Sequence, residues 1–228
     1  MKIAVRRAGG ARSRGGLEVY EVALEQTRSV LDALLWIEEH VDPTLAFRRM
    51  CRSGICGTCA GLVNGVPGLL CRTLLKDARE APPTGAVAEI VVEPLPQFRV
   101  LKDLVVDMEP FTREFSRVEA WLEPNADYDG LVSAETMAML WPVARCVMCG
   151  ICADGDNESV PHPAAVAKLL RLAADPRDAA PPERTSRLAN VTDDDVRRVV
   201  DRLRAVCPVG VEVEQLVRAA GHGRRPAE

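Results

Sequence analysis

The chain has 228 residues, 47% of them hydrophobic, and a formal net charge of -4 at pH 7. That length allows two compact domains of roughly 100 residues each, and so mild a charge offers neither nucleic acid nor an anionic membrane surface an obvious partner. No apolar run is long enough to span a bilayer and no apolar stretch follows Arg6 and Arg7, so neither a membrane span nor a secretory leader is expected, and a reducing, cytoplasmic setting is.

In chain order, residues 1–8 and 17–24 alternate or run rich in β-formers around a glycine-rich stretch from Gly9 to Gly16, which predicts a hairpin. Ser29 suits the N-cap of a helix over VLDALLWIEEH, where Val30, Leu34 and Ile37 share an apolar face with Trp36 nearby. Next come Cys51, Cys56, Cys59 and Cys71, spaced C-x4-C-x2-C-x11-C, with short strands predicted over 60–66 and 87–92 around them. Strand, strand, helix and cysteine loop, closed by later strands, make a β-grasp ferredoxin-like domain, expected over 1–105.

Beyond Pro94 and Pro96 the pattern turns helical, and an all-α domain is expected over 106–228. Pro110 falls in the tolerant first turn of a helix predicted from Glu109 to Leu122, with Phe111, Phe115, Val118 and Leu122 at helical spacing. A short helix from Ser133 to Leu140 leads into Cys146, Cys149 and Cys152. Pro163 opens a helix running through Ala174, residues 178–187 with Pro181 and Pro182 read as a loop, and Thr192 with Asp195 starts a helix reaching Cys207. A last helix is predicted from Val213 to Gly221, with a frayed tail over 222–228. The expected fold class is therefore α+β.

All 8 cysteines fall in these two groups. The first spacing is the ligand pattern of a plant-type [2Fe–2S] cluster, three thiolates reaching it from one tight turn and the fourth from the next strand. The second group, C-x2-C-x2-C completed by the distant Cys207, is the arrangement of a bacterial-type [4Fe–4S] site. Pro208, directly after its last ligand, stops the chain from re-entering a helix too close to the cube. Zinc is the alternative, because C-x2-C pairs are its usual ligands, but zinc sites bring two pairs together rather than a triplet plus one. An even number of cysteines would read as a disulfide framework only in a small secreted chain.

Basic residues number 29, of which only Lys2, Lys76, Lys102 and Lys168 are lysines. Arg48, Arg49 and Arg52 flank Cys51, where their charge could favour the reduced, more negative state of a bound cluster and so raise its potential. A solvated basic loop is the other reading. His40, His162 and His222 read as surface or capping groups rather than bases or ligands. Trp36, Trp121 and Trp141 read as core or interface anchors, with Trp141 also placed to shield the second cluster. No catalytic residue is expected, and Gly9, Gly10, Gly15 and Gly16 lack the spacing of a nucleotide fingerprint, which places substrate chemistry on another chain.

On these residues the chain resembles the iron–sulfur subunit of succinate dehydrogenase and fumarate reductase. FRRMCRSGICGTCAGLVNG with LLCRT resembles that family's first cluster loop, VEPLPQFRVLKDLVVDMEPF its joining segment, and CVMCGIC and CPVGVE its second site. The resemblance implies an electron-transfer subunit between a flavoprotein, which holds FAD and interconverts succinate and fumarate, and a membrane anchor that handles quinone. It implies a chain held peripherally on the inner face of the cell membrane through those partners, with Cys51, Cys56, Cys59 and Cys71 on the flavoprotein side. The chain departs from the family where a third cluster, [3Fe–4S], is ligated. Asp156 and Asn157 stand where the family has cysteine and proline, and Leu203 and Arg197 stand at its two remaining cysteines, so no [3Fe–4S] ligands are expected. The family's quinone-pocket histidine and tryptophan are missing too. A two-cluster ferredoxin-like adaptor serving another flavin-dependent dehydrogenase, without quinone chemistry, is the second reading.

Overall fold

The computed structural model describes residues 1–9, 16–23, 28–81, 87–128, 130–153, 161–188 and 191–219. Most of the expected glycine turn over 9–16, the Asp156–Asn157 pair, His222 and the tail over 222–228 lie outside the described residues. The chain forms two compact units, Met1–Met108 with Val147–Ile151, and Glu109–Cys146 with Cys152–Glu228.

The first unit is built on a five-stranded sheet. Strand β1 (Lys2–Arg7) pairs antiparallel with β2 (Gly16–Glu21), Ile3 facing Tyr20 and Val5 facing Glu18. Helix α1 (Val30–His40) follows, started by a capping box in which the Ser29 hydroxyl accepts the Asp32 N–H at 3.2 Å and the Asp32 carboxylate accepts the Ser29 N–H at 3.1 Å. Strands β3 (Ala60–Val63) and β4 (Val66–Leu69) form a second hairpin around Asn64 and Gly65, both at positive φ, as a two-residue turn with right-handed strand twist demands. The short helix α2 (Leu75–Glu80) precedes β5 (Ile90–Glu93), which lies parallel to β1 and antiparallel to β3. The order β2-β1-β5-β3-β4, two hairpins on either side of a shared central strand, is the β-grasp arrangement. Ile3, Val5, Val30, Leu34, Ile37, Ile90 and Val92 are fully buried, each contributing about 1.5–3 kcal/mol of apolar burial.

A small hairpin, β6 (Val100–Lys102) and β7 (Val105–Val106), anchors the segment that runs into the first cysteine loop. Its tip residue Asp103 has a φ of 49° and a fully buried carboxylate. That carboxylate accepts the N–H of Ala8 at 3.1 Å and of Ala46 at 2.9 Å, and pairs with Arg7 Nε at 3.1 Å. Burial is tolerable because every charge has a partner. Arg7 also donates to the Tyr20 hydroxyl and to Asp42, and Asp42 accepts from Thr44 and Tyr20. Burial alone would raise the Asp42 carboxyl from the ordinary 3.8, but the Thr44 hydroxyl and N–H, the Tyr20 hydroxyl and Arg7 together hold it at about 2. A depressed carboxyl stabilises the fold above its unfolded pKa and loses that contribution only as pH falls through the folded value. Asp42→Asn is therefore expected to lower Tm by an amount corresponding to about 1.5 kcal/mol or more, equally at every pH between about 5 and 8. Melting curves across that range check this, and a deficit that changes with pH would contradict the assignment.

The second unit is helical: α3 (Glu109–Arg117), α4 (Ala134–Ala144), α5 (Pro163–Ala174), α6 (Pro181–Ser186), α7 (Asp193–Val206) and α8 (Glu214–Ala219). Helix α5 is central and touches α4, α6, α7 and α8, with Ala164, Ala165, Val166, Leu169, Leu170 and Leu172 buried. His162 caps it. The Ala165 N–H donates to His162 Nδ1 at 3.1 Å, so that nitrogen is bare and the proton sits on Nε2, 3.0 Å from the Phe111 carbonyl oxygen. The ring stacks on Phe111 at 4.3 Å and is buried, a capping group inside the unit rather than on its surface. Thr192 and Asp195 form the expected capping box of α7.

Three elements of this unit differ from expectation. Helix α3 ends at Arg117 rather than Leu122, because Glu119 takes a φ of 49° and the freed carbonyls of Val118, Glu119 and Trp121 are claimed by Arg187 and Arg184. Helix α4 runs past Leu140 to Ala144 with Pro142 inside it. Residues 181–186, expected as a loop, form α6, since Pro181 and Pro182 occupy a first turn where a missing N–H removes no helical bond.

Candidate functional site

The first cysteine loop is wound tightly by residues at positive φ: Arg52 at 56°, Gly54 at 77° and Gly57 at 70°. These reversals turn successive backbone N–H groups inward. The Ser53, Ile55 and Cys56 N–H groups all point at Cys51 Sγ, at 3.4, 3.3 and 3.3 Å. The Ser53 N–H, then the Ser53 and Cys56 side chains and the Ile55 N–H, bring the Cys51 thiol down to about 5, so this sulfur is a thiolate at neutral pH. Cys59 opens from the loop into β3 and is buried. Burial first, and then the neighbouring Cys71 and Cys56 thiols, push it up to about 12. The Leu70 N–H donates to the Cys59 carbonyl at 3.0 Å and so ties the fourth cysteine, Cys71, to the third.

Four sulfurs thus occupy one loop system, one already a thiolate and one buried among sulfurs that repel its ionised form, a set that a cationic group would relieve. Among the described residues no three His, Cys, Asp or Glu side chains converge as around a single metal ion. A two-iron cluster needs only two thiolates on each iron. All eight cysteines are described and none is joined in a disulfide. The rim of the first loop is apolar and open, with Met50 75% and Ile55 71% exposed.

Each of the three arginines of this loop has a partner of its own. Arg48 donates to the Val106 carbonyl at 3.0 Å, Arg49 pairs with Glu38 at 2.6 Å and lies over the Phe47 ring, and Arg52 pairs with Asp32 at 3.0 Å. Two of the three charges are therefore matched by carboxylates of α1. His40 stacks on Trp36 at the end of the same helix, its Nδ1 3.0 Å from the Trp36 carbonyl oxygen.

The cysteines of the second group are held by helix ends. Cys146 follows α4, its N–H bonded to the Val143 carbonyl at 3.2 Å. Cys207 is the C-cap of α7, its N–H bonded to the Leu203 carbonyl, and its sulfur accepts the Val211 N–H at 3.3 Å. Pro208 comes next, where the helix has stopped. Gly210, at a φ of 61°, turns this segment beside Arg145, so the Cys146 and Cys207 segments are neighbours in the second unit, to which Cys152, 8% exposed, also belongs. Cys149 belongs to the first unit. There Gln97 Nε2 donates to the Gly150 carbonyl at 2.9 Å and faces that of Ile151 at 3.4 Å. Gly150, at a φ of 81°, leaves no space for a Cβ between the Phe98 ring and Met108 Cε. The sequence reading missed this grip by Gln97, Phe98 and Met108, and the small residue Gly150 inside C-x2-C was the only local sign of it. Trp141 stands 64% exposed on α4. At the positions compared with third-cluster ligands, Leu203 is buried in α7 and Arg197 is exposed and paired with Asp194 at 2.6 Å.

Residues 2–113 match a family described as a 2Fe-2S iron-sulfur cluster binding domain. The chain is 32% identical over 215 residues to the mitochondrial succinate dehydrogenase [ubiquinone] iron-sulfur subunit of Dictyostelium discoideum, covering 86% of this chain and 72% of that protein. It is 32% identical over 206 residues to the fumarate reductase iron-sulfur subunit of Mycobacterium tuberculosis (strain CDC 1551 / Oshkosh), covering 86% and 80% respectively. The Escherichia coli O6:H1 fumarate reductase iron-sulfur subunit is 34% identical over 178 residues, 74% of this chain and 70% of that one. A chain of the Mycobacterium smegmatis Sdh1 complex in the apo form superposes with a TM-score of 0.74 at 24% identity, over 100% of this chain and 98% of that chain, and so shares the fold.

Proposed function

Since the chain belongs to the family of succinate dehydrogenase and fumarate reductase iron–sulfur subunits, we propose that it is the electron relay between a flavoprotein and a quinone or other acceptor in a complex of that type. Cys51, Cys56, Cys59 and Cys71 would hold a [2Fe–2S] cluster, and Cys146, Cys149, Cys152 and Cys207 a [4Fe–4S] cluster. When bound, these groups supply one-electron chemistry that no side chain of this protein offers. The observation that carries the reading is the cradle of three N–H groups on Cys51 Sγ, the kind of donor set that supports a ligand sulfur. N–H donors to a ligand sulfur also disperse its negative charge, which favours the reduced cluster. Arg49 and Arg52 add little to this because Glu38 and Asp32 offset them.

The relay ends at the second cluster. Leu203 offers no ligand and fills core space, Arg197 is turned to solvent, and neither position supports a third cluster. FAD belongs to the flavoprotein partner, which the open apolar rim at Met50 and Ile55 suits as a docking surface. Among the described residues no helix is long and apolar enough to cross a membrane, and the chain reaches the inner face of the cell membrane through an anchor subunit.

Reduction by substrate tests the relay. In the complex purified with its flavoprotein, succinate is expected to reduce, or fumarate to reoxidise, both clusters as followed by visible absorption and EPR. Clusters that respond to dithionite but to neither dicarboxylate, with the flavoprotein present and loaded, would contradict this assignment.

A further inference from the structure

Building on the ligand assignment proposed above, we infer that Gly57 is the contact at which the first cysteine loop meets the loop of Cys149, and that its missing side chain sets how closely the two ligand loops approach. A Cβ on Gly57 would run into the Val147 carbonyl oxygen and lie 3.1 Å from both Cα and Cβ of Cys149. These obstacles are backbone and a ligand residue, so no flexible side chain can swing aside. Gly57 itself directly follows Cys56 and precedes Cys59 by two residues, both proposed ligands of the first set. The whole contact lies inside the first compact unit, which includes Val147–Ile151.

Neighbouring glycines separate this role from ordinary turn geometry. Gly65 has a φ of 80° and nothing within 4 Å of the place a Cβ would take, so it serves its turn alone. Gly54, at 77°, meets the Arg72 side chain, which can move. Gly57 combines the left-handed conformation with a closed contact. The opposing loop cannot retreat freely, because Gln97 holds the Gly150 carbonyl and the Phe98 ring and Met108 close on Gly150. A methyl group at position 57 therefore pushes the two loops apart. Electron passage between two centres falls steeply with their separation, so Gly57 is a positioning residue for the relay.

The test compares Gly57→Ala with Gly65→Ala, which impose the same strain of alanine at positive φ on two turns. The purified complex is reduced until both clusters are paramagnetic, and microwave power saturation of the [2Fe–2S] EPR signal is read, since a nearby fast-relaxing [4Fe–4S] cluster speeds its relaxation. The unaltered chain and Gly65→Ala are expected to show the same enhancement, and Gly57→Ala a severalfold smaller one with both clusters present by iron content. Gly57→Ala that keeps the first cluster and loses the second, while Gly65→Ala loads both, supports the same contact. An unchanged enhancement, an equal loss in both variants, or loss of the first cluster in Gly57→Ala would overturn the inference, save that a Gly57→Ala chain recovered without either cluster passes the decision to Gln97→Leu. That variant removes the Gln97 bond to the Cys149 loop without replacing a cysteine of either set, and it is expected to weaken the enhancement; no change there overturns the inference. If the unaltered chain lacks one of the two signals, the ligand assignment itself fails, before any variant is made.

Discussion

Cys59→Ser is expected to abolish the [2Fe–2S] EPR signal and remove about two irons per chain, while the second cluster is retained. Serine is nearly isosteric, and the bond from the Leu70 N–H to the residue 59 carbonyl does not depend on the side chain, so the β3 strand and its hairpin persist. On the proposed assignment the variant loses a soft thiolate ligand, which a hydroxyl replaces poorly for iron–sulfur chemistry. Cys59 is the sharpest choice among the four because it is buried and lies among the other thiols, so no solvent ligand can readily take its place. Iron analysis and EPR on the same sample check it. Full iron content with an unaltered signal would mean that Cys59 is not a ligand.

Arg184→Met should destabilise the helical unit by about 3–5 kcal/mol, the range for removing one partner of a buried pair, and lower its melting temperature by on the order of 10 °C or more. The Arg184 side chain is fully buried, 3.2 Å from an equally buried Asp178, and donates at 2.7 and 2.8 Å to the carbonyls of Glu119 and Trp121. Losing it strands a carboxylate and two carbonyl oxygens at the point where α3 stops. Asp178 keeps the N–H groups of Glu123 and Ala180, which soften the loss without neutralising the charge. The double variant Arg184→Met with Asp178→Asn removes the stranded charge and should recover part of the deficit. Thermal unfolding followed by far-UV circular dichroism reads both. A single variant as stable as the unaltered chain would contradict the role given to this arginine.

Much of the architecture was legible because its signals are local. Ser29 with Asp32 and Thr192 with Asp195 announce two helix starts through reciprocal bonds three residues apart. The cysteine spacings suggest the proposed ligand sets, since ligand loops are short and their geometry is written in residue counts. Other parts depended on partners far away in sequence. Phe111, Phe115, Val118 and Leu122 keep helical spacing beyond the true end of α3, and the residues that stop it, Arg184 and Arg187, lie more than sixty positions downstream. For the basic run around Cys51, both cluster tuning and a solvated loop are open from the sequence, and its ion pairs with Asp32 and Glu38 of α1 join a different element. Strands of two or three residues, such as β6 and β7, are too short to show a period, yet their tip holds Asp103, which ties together residues 8 and 46. The grip of Gln97 on the Cys149 loop left only Gly150 as a local sign, because its partners lie far apart in sequence.

Low-temperature EPR of the anaerobically purified chain, as isolated and after dithionite reduction, with iron and zinc assayed on the same sample, tests the two-cluster relay most directly. The account predicts about six irons per chain and two reduced-state signals, a slowly relaxing one from [2Fe–2S] and a fast-relaxing one from [4Fe–4S], with no [3Fe–4S] signal in the oxidised sample. Zinc without these signals, or about nine irons with an oxidised [3Fe–4S] signal, would contradict it.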